Sequence, residues 1–544
     1  MLQGEIHKLL ITGLNNEGEG VVRVGDEKFV LFVPDALPGE EVTCRIITKK
    51  KNYGTAKIIS RENNSPDRVK PLCPAFGLCG GCQLQHLNYQ AQLKLKTQTV
   101  YDALHRIGGI EFPEVEECIP SPSSWGYRNK AALPVQDTKK DNFLCGFYKS
   151  RSHDIIPFKS CPVLSQQFNK NIQYAIAELK NANFSGYREN NITSFIRHLV
   201  FRNTSIDELL FGVVGSRNPS KTERSKLITI SKKFPGHIKG TVFNRNAASG
   251  NFIWGDTFTA LTGEPTITEN LGKFKFQFEI SSFFQINTAQ TLNLYNYAAK
   301  AALENSPENI LELYSGVGSL TAFLADGTKS VTAVESWIPA AKYIEINAKN
   351  NSLGNITPHT GKAEEIAAEL TDKKYETVVI DPPRTGCAPE VINAIAKISP
   401  QNIVYVSCNP ATLARDVKLL ISAGYTLKKT APFDMFPQTG HVETVVQLSR
   451  KTPDDVIHVD LDLTGLPLTK AEAAATYTQI KEYVLEQTGL KVSSLYVSQV
   501  KRKCGLEVGD SYNKPKNEET KQPQCPPDKE AAIMAALRHY KMIG

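Results

Sequence analysis

Three short segments late in this chain carry residues whose types and spacing suit covalent chemistry on a heteroaromatic ring. They are Asp381-Pro382-Pro383-Arg384, Val406-Ser407-Cys408-Asn409-Pro410 and His441-Val442-Glu443-Thr444. They set a carboxylate, a thiol and a second carboxylate at the ends of three successive expected strands. Such a set suits attack on a pyrimidine. A uracil C5 is too weak a carbon nucleophile to take a methyl group unaided. A thiolate adding at C6 makes C5 enolate-like, and a base must then remove the C5 proton so that the thiol can leave. In that scheme Cys408 is the nucleophile and Glu443 the base. Taken singly, a cysteine after an apolar strand such as Ile403-Val404-Tyr405-Val406 is more often an inert core thiol; Asp381 and Glu443 in step with it favour chemistry. Pro382 and Pro383 fix φ and stiffen their loop, so that Asp381 reaches either a pyrimidine edge or the charged end of a cofactor. Arg384 suits a phosphate contact and a structural salt bridge equally.

Upstream, Ile310-Leu311-Glu312-Leu313-Tyr314 reads as a short buried strand. Ser315-Gly316-Val317-Gly318-Ser319 makes a tight glycine turn, Leu320 to Ala325 a helix, and Val331-Thr332-Ala333-Val334 a second strand ending in Glu335. This is the layout of a nucleotide-binding α/β unit, with the acid placed to accept hydrogen bonds from ribose hydroxyls. No third glycine stands at the dinucleotide position, which disfavours NAD. S-adenosylmethionine fits better, having no pyrophosphate to cradle.

The chain has 11 cysteines. The N-terminal residues show no charged-then-apolar signal pattern, and no apolar run approaches membrane-spanning length, so a reducing cytoplasmic setting is expected. There the spacing Cys73-x5-Cys79-x2-Cys82 points to a metal site that needs a fourth ligand. Cys161 is the best candidate, because it and Cys73 both precede proline, a context also found in ferredoxin cluster runs. Cys118 and Cys145 remain substitutes. A single CxxC pair argues against a zinc site built from two knuckles.

These segments, in this order and with this cysteine set, resemble the RNA uridine-5-methyltransferase family from about Gly4 to Leu448. The resemblance implies a class I S-adenosylmethionine fold in which Gln285, Tyr314, Glu335 and Asp381 contact the cofactor, with Ser319 and Lys362 near it. One departure stands out. Many methyltransferases place an Asp or Asn on the adenine amine, where this chain has Gly361-Lys362-Ala363-Glu364. The resemblance also implies a 4Fe-4S cluster on Cys73, Cys79, Cys82 and Cys161, with a structural role. It implies an RNA substrate, with 23S ribosomal RNA preferred because the N-terminal barrel and cluster accompany ribosomal-RNA members, and transfer RNA as the alternative. Two other classes compete: an amino-methyltransferase using the Asp-Pro-Pro segment, and a non-catalytic RNA-binding protein. The first leaves Cys408 and Glu443 without work, and the intact nucleophile, acid and base oppose the second.

The elements that must position these residues fall into a multidomain chain, since 544 residues exceed one core. Residues 1–60 alternate in short β-runs and look like a small OB-like barrel of the TRAM type, a module that binds single strands. Residues 61–284 form an α+β region that carries the cysteines and an amphipathic helix from Tyr89 to Ile107. Its clear strand candidates are Ile192 to Phe201, Glu208 to Val214 and Phe274 to Ile280. Residues 285–450 form the α/β Rossmann-like methyltransferase domain. Residues 451–544 form an extension with helices expected over Lys470 to Gln487 and after Pro527, and a Pro/Lys-rich stretch from Asn513 to Pro527. It is either an additional RNA contact or a packing element. The net charge of +7 permits an RNA partner without requiring one. Local clusters at Lys49-Lys50-Lys51, Lys139-Lys140, Lys149-Ser150-Arg151 and Lys501-Arg502-Lys503 add up only if several neutralise phosphates. Tyr127-Arg128-Asn129-Lys130 suits an RNA contact or an edge strand. No membrane contact is expected, and the protein is expected to be a monomer.

Overall fold

The computed structural model describes residues 3–24, 29–188, 194–248, 250, 252–451, 477–488, 490, 492–504, 506 and 525–540. Two compact units divide the chain, Met1–Asp455 and Val456–Gly544. Among the described residues no helix is long and apolar enough to cross a membrane.

The first unit opens with six strands, Ile6–Leu10, Gly13–Leu14, Glu19–Val24, Phe29–Pro34, Glu41–Lys49 and Tyr53–Arg61, joined in one sheet. Period-2 alternation explains its core: Val42, Cys44 and Ile46 point inward onto Leu31 and Val33, while Glu41 and Arg45 point out. The helix Tyr89–Arg106 follows the cysteine loop, and its N-terminus is capped by Asn88, whose side chain accepts from the Ala91 amide.

The central region is a seven-stranded sheet. Its middle strands Lys130–Gln136, Ile196–Asn203, Leu209–Gly215 and Ile238–Arg245 lie side by side. Helices Gln166–Asn181 and Lys221–Lys232 cover one face, burying Phe168, Ile172 and Leu227 against Leu133, Leu199 and Phe201. The strand expected from Ile192 begins at Ile196, and residues 189–193 lie outside the described residues.

Strands Thr266–Leu271 and Phe274–Glu279 form a hairpin. Its residues precede 285, yet its side chains Ile267, Phe276 and Phe278 enter the same apolar core as Leu294, Leu320 and Tyr343 of the methyltransferase region. Two asparagines of the helix Ile338–Asn350 and its cap act as surrogate backbone on the hairpin edge. The amides of Gln277 and Lys275 donate to Asn347 Oδ1 (2.7 Å) and Asn351 Oδ1 (2.8 Å).

The methyltransferase sheet has seven strands: Ile356–Thr360, Ser330–Glu335, Asn309–Leu313, Thr377–Ile380, Asn402–Ser407, Glu443–Arg450 and Tyr425–Phe433, in that spatial order. The first five are parallel, and the strand Glu443–Arg450 runs antiparallel between its two neighbours. The chain leaves Asn309–Leu313 toward one edge and later returns to its other side at Thr377–Ile380. That reversal opens a crevice at the carboxyl ends of the strands, where open α/β sheets bind ligands.

The second unit holds helices Tyr477–Thr488, Ser494–Lys503 and Pro527–His539 around their own core of Ile480, Val484, Val497, Val500, Ile533 and Leu537. Lys470 and residues 513–524 of the Pro/Lys-rich stretch lie outside the described residues. The basic triad ends the middle helix, with Lys501 buried and Lys503 paired with Glu530. A triad split in this way presents fewer charges to a polyanion than its sequence suggests.

Candidate active site

Three adjacent strands bring the reactive set together. Asp381 follows Thr377–Ile380, and Cys408 follows Asn402–Ser407. Glu443, expected at a strand end, instead opens its antiparallel strand, and Tyr425–Phe433 intervenes in the chain. The three strands are therefore successive in the sheet and not in the sequence. Ser407 and Thr444 are the last partners of the antiparallel register, so Cys408 and Glu443 are the next residues at the same end of the sheet, and the Glu443 charge bears on the Cys408 thiol.

Charge and burial decide the state of these groups. Burial pushes the Cys408 thiol up to about 11, and the Glu443 and Asp381 charges add to the rise; Arg384 opposes it by its charge and by a hydrogen bond to the thiol. Glu443 is 3% exposed, and its carboxyl is raised well above the usual range by burial and then by Asp381, with Arg384 again opposing. Burial lifts Asp381 to about 7. Arg384 thus faces the thiol, and no ion pair of Arg384 occurs among the described residues. The salt-bridge option in its sequence reading gives way to a role inside the site.

The Arg384 loop is held from below. Its carbonyl accepts from Asn409 Nδ2 (3.1 Å) and Thr412 Oγ1 (3.3 Å). Buried Asp416 accepts from the Cys387 amide (2.8 Å) and the Tyr405 hydroxyl (2.7 Å). Gly386 has φ +76°, and a Cβ there would come within 2.5 Å of Arg415 and 2.6 Å of Asp416. Only glycine fits that turn.

The loop before Glu443 is gripped by other domains. The amides of Gln83 and Leu84, next to Cys82, donate to the Gln438 carbonyl at 3.0 and 2.9 Å. Gln92 of the long helix exchanges two bonds with Gln438, at 3.0 and 3.1 Å. Lys96 pairs with buried Asp434 and donates to the Phe436 carbonyl. The turn of the N-terminal sheet closes over the same loop: a Cβ on Gly440 would meet the Asn16 carbonyl at 1.6 Å.

The expected cofactor residues line the crevice mouth unevenly. Tyr314 sits at φ +66°, just past its strand, and its hydroxyl reaches Cys387. Glu335 braces the glycine turn, accepting from the Gly316 amide (2.9 Å) and the Trp337 amide (2.6 Å). Ser319 opens the next helix and its hydroxyl meets that of buried Tyr295 at 3.1 Å. Gln285 is buried in a loop stapled to Asn129, whose side chain donates to the Gln285 carbonyl (2.9 Å). Lys362 is exposed and turned to Glu365 at 3.4 Å. Three residues escaped the sequence reading. Glu312 is buried, accepts from Thr321, and is pushed up to about 8 by burial, with Asp381 and Glu335 adding to the rise. Tyr295 is raised by burial and then by Asp381, which places it beside the reactive acid. Trp337 presents an exposed ring two residues after Glu335, a position its spacing from the acid could have flagged.

Burial raises Cys79, Cys82 (to about 12) and Cys161 (to about 11); the Cys73 charge adds to each rise, that of Cys79 to the rises of Cys82 and Cys161, and that of Cys161 to the rise of Cys82. The Gly81 amide donates to Cys79 Sγ at 3.4 Å. Cys118 and Cys145, the substitutes for Cys161, are buried in separate apolar cores. Among the described residues no three His, Cys, Asp or Glu side chains are gathered as a ready ligand set.

Comparison with known proteins gives the family and the fold. The tRNA (uracil-5-)-methyltransferase family model matches residues 88–451, and the TRAM domain model matches residues 2–59. An uncharacterised RNA methyltransferase from Clostridium acetobutylicum is 38% identical over 449 residues, covering 82% of this chain and 97% of its own. One from Halalkalibacterium halodurans is 36% identical over 451 residues, covering 82% and 98%. Among solved structures, the Pyrococcus abyssi tRNA (uracil-54, C5)-methyltransferase in complex with S-adenosyl-L-homocysteine superposes with a TM-score of 0.65 at 28% identity, covering 81% of this chain and all of that one.

Proposed function

The chain belongs to the tRNA (uracil-5-)-methyltransferase family, and from that premise we propose that it methylates C5 of a uridine in RNA through a covalent Cys408 adduct. The observation that carries this reading is the gathering of Cys408, Glu443, Asp381 and Arg384 at one end of three adjacent strands, where their charges act on one another. S-adenosylmethionine, when bound, supplies an electrophilic methyl group to C5. Residues Gln285, Tyr314, Glu335, Ser319 and Asp381 would hold it in the crevice, and the exposed Trp337 ring offers a flat surface for its adenine. Lys362 is turned to Glu365 and is the weakest member of that set.

Cys408 Sγ, ionised with the help of the Arg384 guanidinium, forms a bond to C6, and the ring electrons move to C5 and O4. Asp381, lifted to about 7, exists in both protonation states near neutrality and can donate to or accept from the pyrimidine edge. After the methyl group is on C5, the Glu443 carboxylate takes the C5 proton, the C5–C6 double bond re-forms and Sγ leaves as thiolate. Glu443 raised by burial is a stronger base than a free carboxylate, which suits that step.

The preferred substrate is 23S ribosomal RNA, because a TRAM sheet joined to a cysteine-cluster region accompanies ribosomal members of the family. Transfer RNA is the second reading, favoured by the Pyrococcus abyssi neighbour that acts on tRNA uracil-54. We also propose that Cys73, Cys79, Cys82 and Cys161 hold a 4Fe-4S cluster. The four cysteines are near enough for their charges to act on the Cys82 thiol, and a positive iron–sulfur core would offset the burial that otherwise holds Cys79, Cys82 and Cys161 as neutral thiols. The test of function is direct. RNA from a strain lacking the gene, digested and examined by mass spectrometry, should lose one 5-methyluridine that wild-type protein restores and Cys408→Ala does not. An unchanged 5-methyluridine inventory overturns the reading.

A further inference from the structure

The central sheet carries a second feature that the covalent site does not use. A cavity of about 930 Å³ opens on the face away from the helices Gln166–Asn181 and Lys221–Lys232, lined among others by Gln136, Tyr148, His153, Tyr187, Arg197 and His198. Its walls combine ring faces with fixed polar groups. Arg197 is buried, donates to the carbonyls of Asn246 (3.0 Å) and Gly250 (3.0 Å), and lies over the Tyr187 ring at 4.7 Å. Tyr148 and His153 meet edge to face at 5.5 Å. His198 Nδ1 is buried, and no hydrogen-bond partner for it occurs among the described residues.

The strand pair that lines the cavity runs on to the loop of Gln285, an expected cofactor contact. Alternation puts Lys130, Ala132, Pro134 and Gln136 on one face of their strand, and the register pairs Lys130 with Arg202 and Pro134 with His198. At the Lys130 end, Arg202 donates to the Ser282 carbonyl (2.7 Å), and Asn129 holds the loop of Gln285. Four residues further along the strand, about 13 Å away, lies the cavity. Exposed Lys149 follows Tyr148 of the cavity wall and offers a cation beside it. Apolar small-molecule sites lack such a cationic approach. Single-stranded RNA is bound by this combination of aromatic faces, an arginine plane and a neighbouring cation.

We propose that this cavity is a subsite for a second, unstacked base of the substrate RNA, near the target uridine in sequence. The base would stack against Tyr148 or Tyr187, with Gln136 and His198 at its edge and the flanking phosphates toward Lys149. The proposal rests on the RNA-methylating reading and deepens it, because a base held here would fix which uridine reaches Cys408.

The test is ultraviolet crosslinking of the full chain to RNA from a strain lacking the gene, followed by mass spectrometry of peptide–nucleotide conjugates. Conjugates should map to the segments around Tyr148 and Tyr187, and Tyr148→Ala should lose the first of them. In parallel, Tyr148→Ala and Gln136→Leu should each raise KM for that RNA, the alanine variant by about tenfold, the loss of one base stack. Affinity for S-adenosylmethionine should hold in both and certifies folding. Conjugates confined to other surfaces, or wild-type KM in both variants, overturn the subsite. The two readings fail separately: 5-methyluridine formed with the cavity unmarked refutes the subsite alone, whereas a marked cavity with no 5-methyluridine formed refutes the methylation reading alone.

Discussion

At the scale of the residue, the site is a crowd of acids kept out of water around one thiol, with a single guanidinium opposing them. Such a crowd is costly to fold. Glu312 shows it most clearly: burial lifts its carboxyl from an ordinary 4.5 to about 8. A group raised in the folded state lends stability that is fully present below about pH 4.5 and is lost as pH rises through about 8. Glu312→Gln keeps the shape and stays neutral throughout. Its melting temperature should equal that of wild type near pH 5 and exceed it by a few degrees at pH 9; a difference independent of pH would refute the burial account. The flanking motifs single out Cys408, Asp381 and Glu443 in the sequence, and the structure sets their strands side by side. The facing partner of Arg384 was not legible there, because it depends on how the loop Pro382–Gly386 folds over Asn409 and Asp416. Glu312 was hidden as well, since inside an apolar run it reads as one more strand residue.

At the scale of the element, the sequence disclosed what local pattern controls. The strand, glycine turn, helix and strand from Asn309 to Glu335 and the helix from Tyr89 lie where period and caps put them. Pairings between distant segments stayed dark. Nothing local says that Glu443 opens an antiparallel strand beside Cys408, or that the hairpin Thr266–Glu279 is completed by asparagines about seventy residues on. The loop 434–441 is the sharpest case, since it is positioned from outside by Gln83, Gln92, Lys96 and the Asn16 turn. Lys96 and Asp434 form a buried pair there. Removing one partner of such a pair leaves the other charge stranded and costs about 3–5 kcal/mol. Lys96→Met should lose stability on that order in urea unfolding, and the double variant Lys96→Met with Asp434→Leu should regain much of it. A neutral Lys96→Met would show that the pair does not hold the loop.

At the scale of the whole molecule, the N-terminal sheet, the cysteine region and the helix from Tyr89, all of the first unit, hold the loop that delivers Glu443. The cysteine region touches that loop through Gln83 and Leu84, so the proposed cluster would pin one side of the site. Protein purified anaerobically should be brown with about four irons per chain, and Cys79→Ser should lose colour and stability together; zinc in place of iron would contradict the cluster. The three-helix unit after Val456 has a core of its own. Truncation at about residue 451 should therefore leave S-adenosylmethionine binding intact. If that unit also clamps RNA, the salt dependence of affinity should flatten by about one unit per lost phosphate contact; an unchanged slope would assign it to packing. The covalent route itself is tested most directly by incubating Glu443→Gln with S-adenosylmethionine and RNA from a strain lacking the gene, then separating the mixture under denaturing conditions. The glutamine cannot accept the C5 proton, so elimination should stall and a protein–RNA adduct carrying a methylated uracil on Cys408 should survive, absent when Cys408→Ala is added. Full turnover by Glu443→Gln with no adduct would contradict the account.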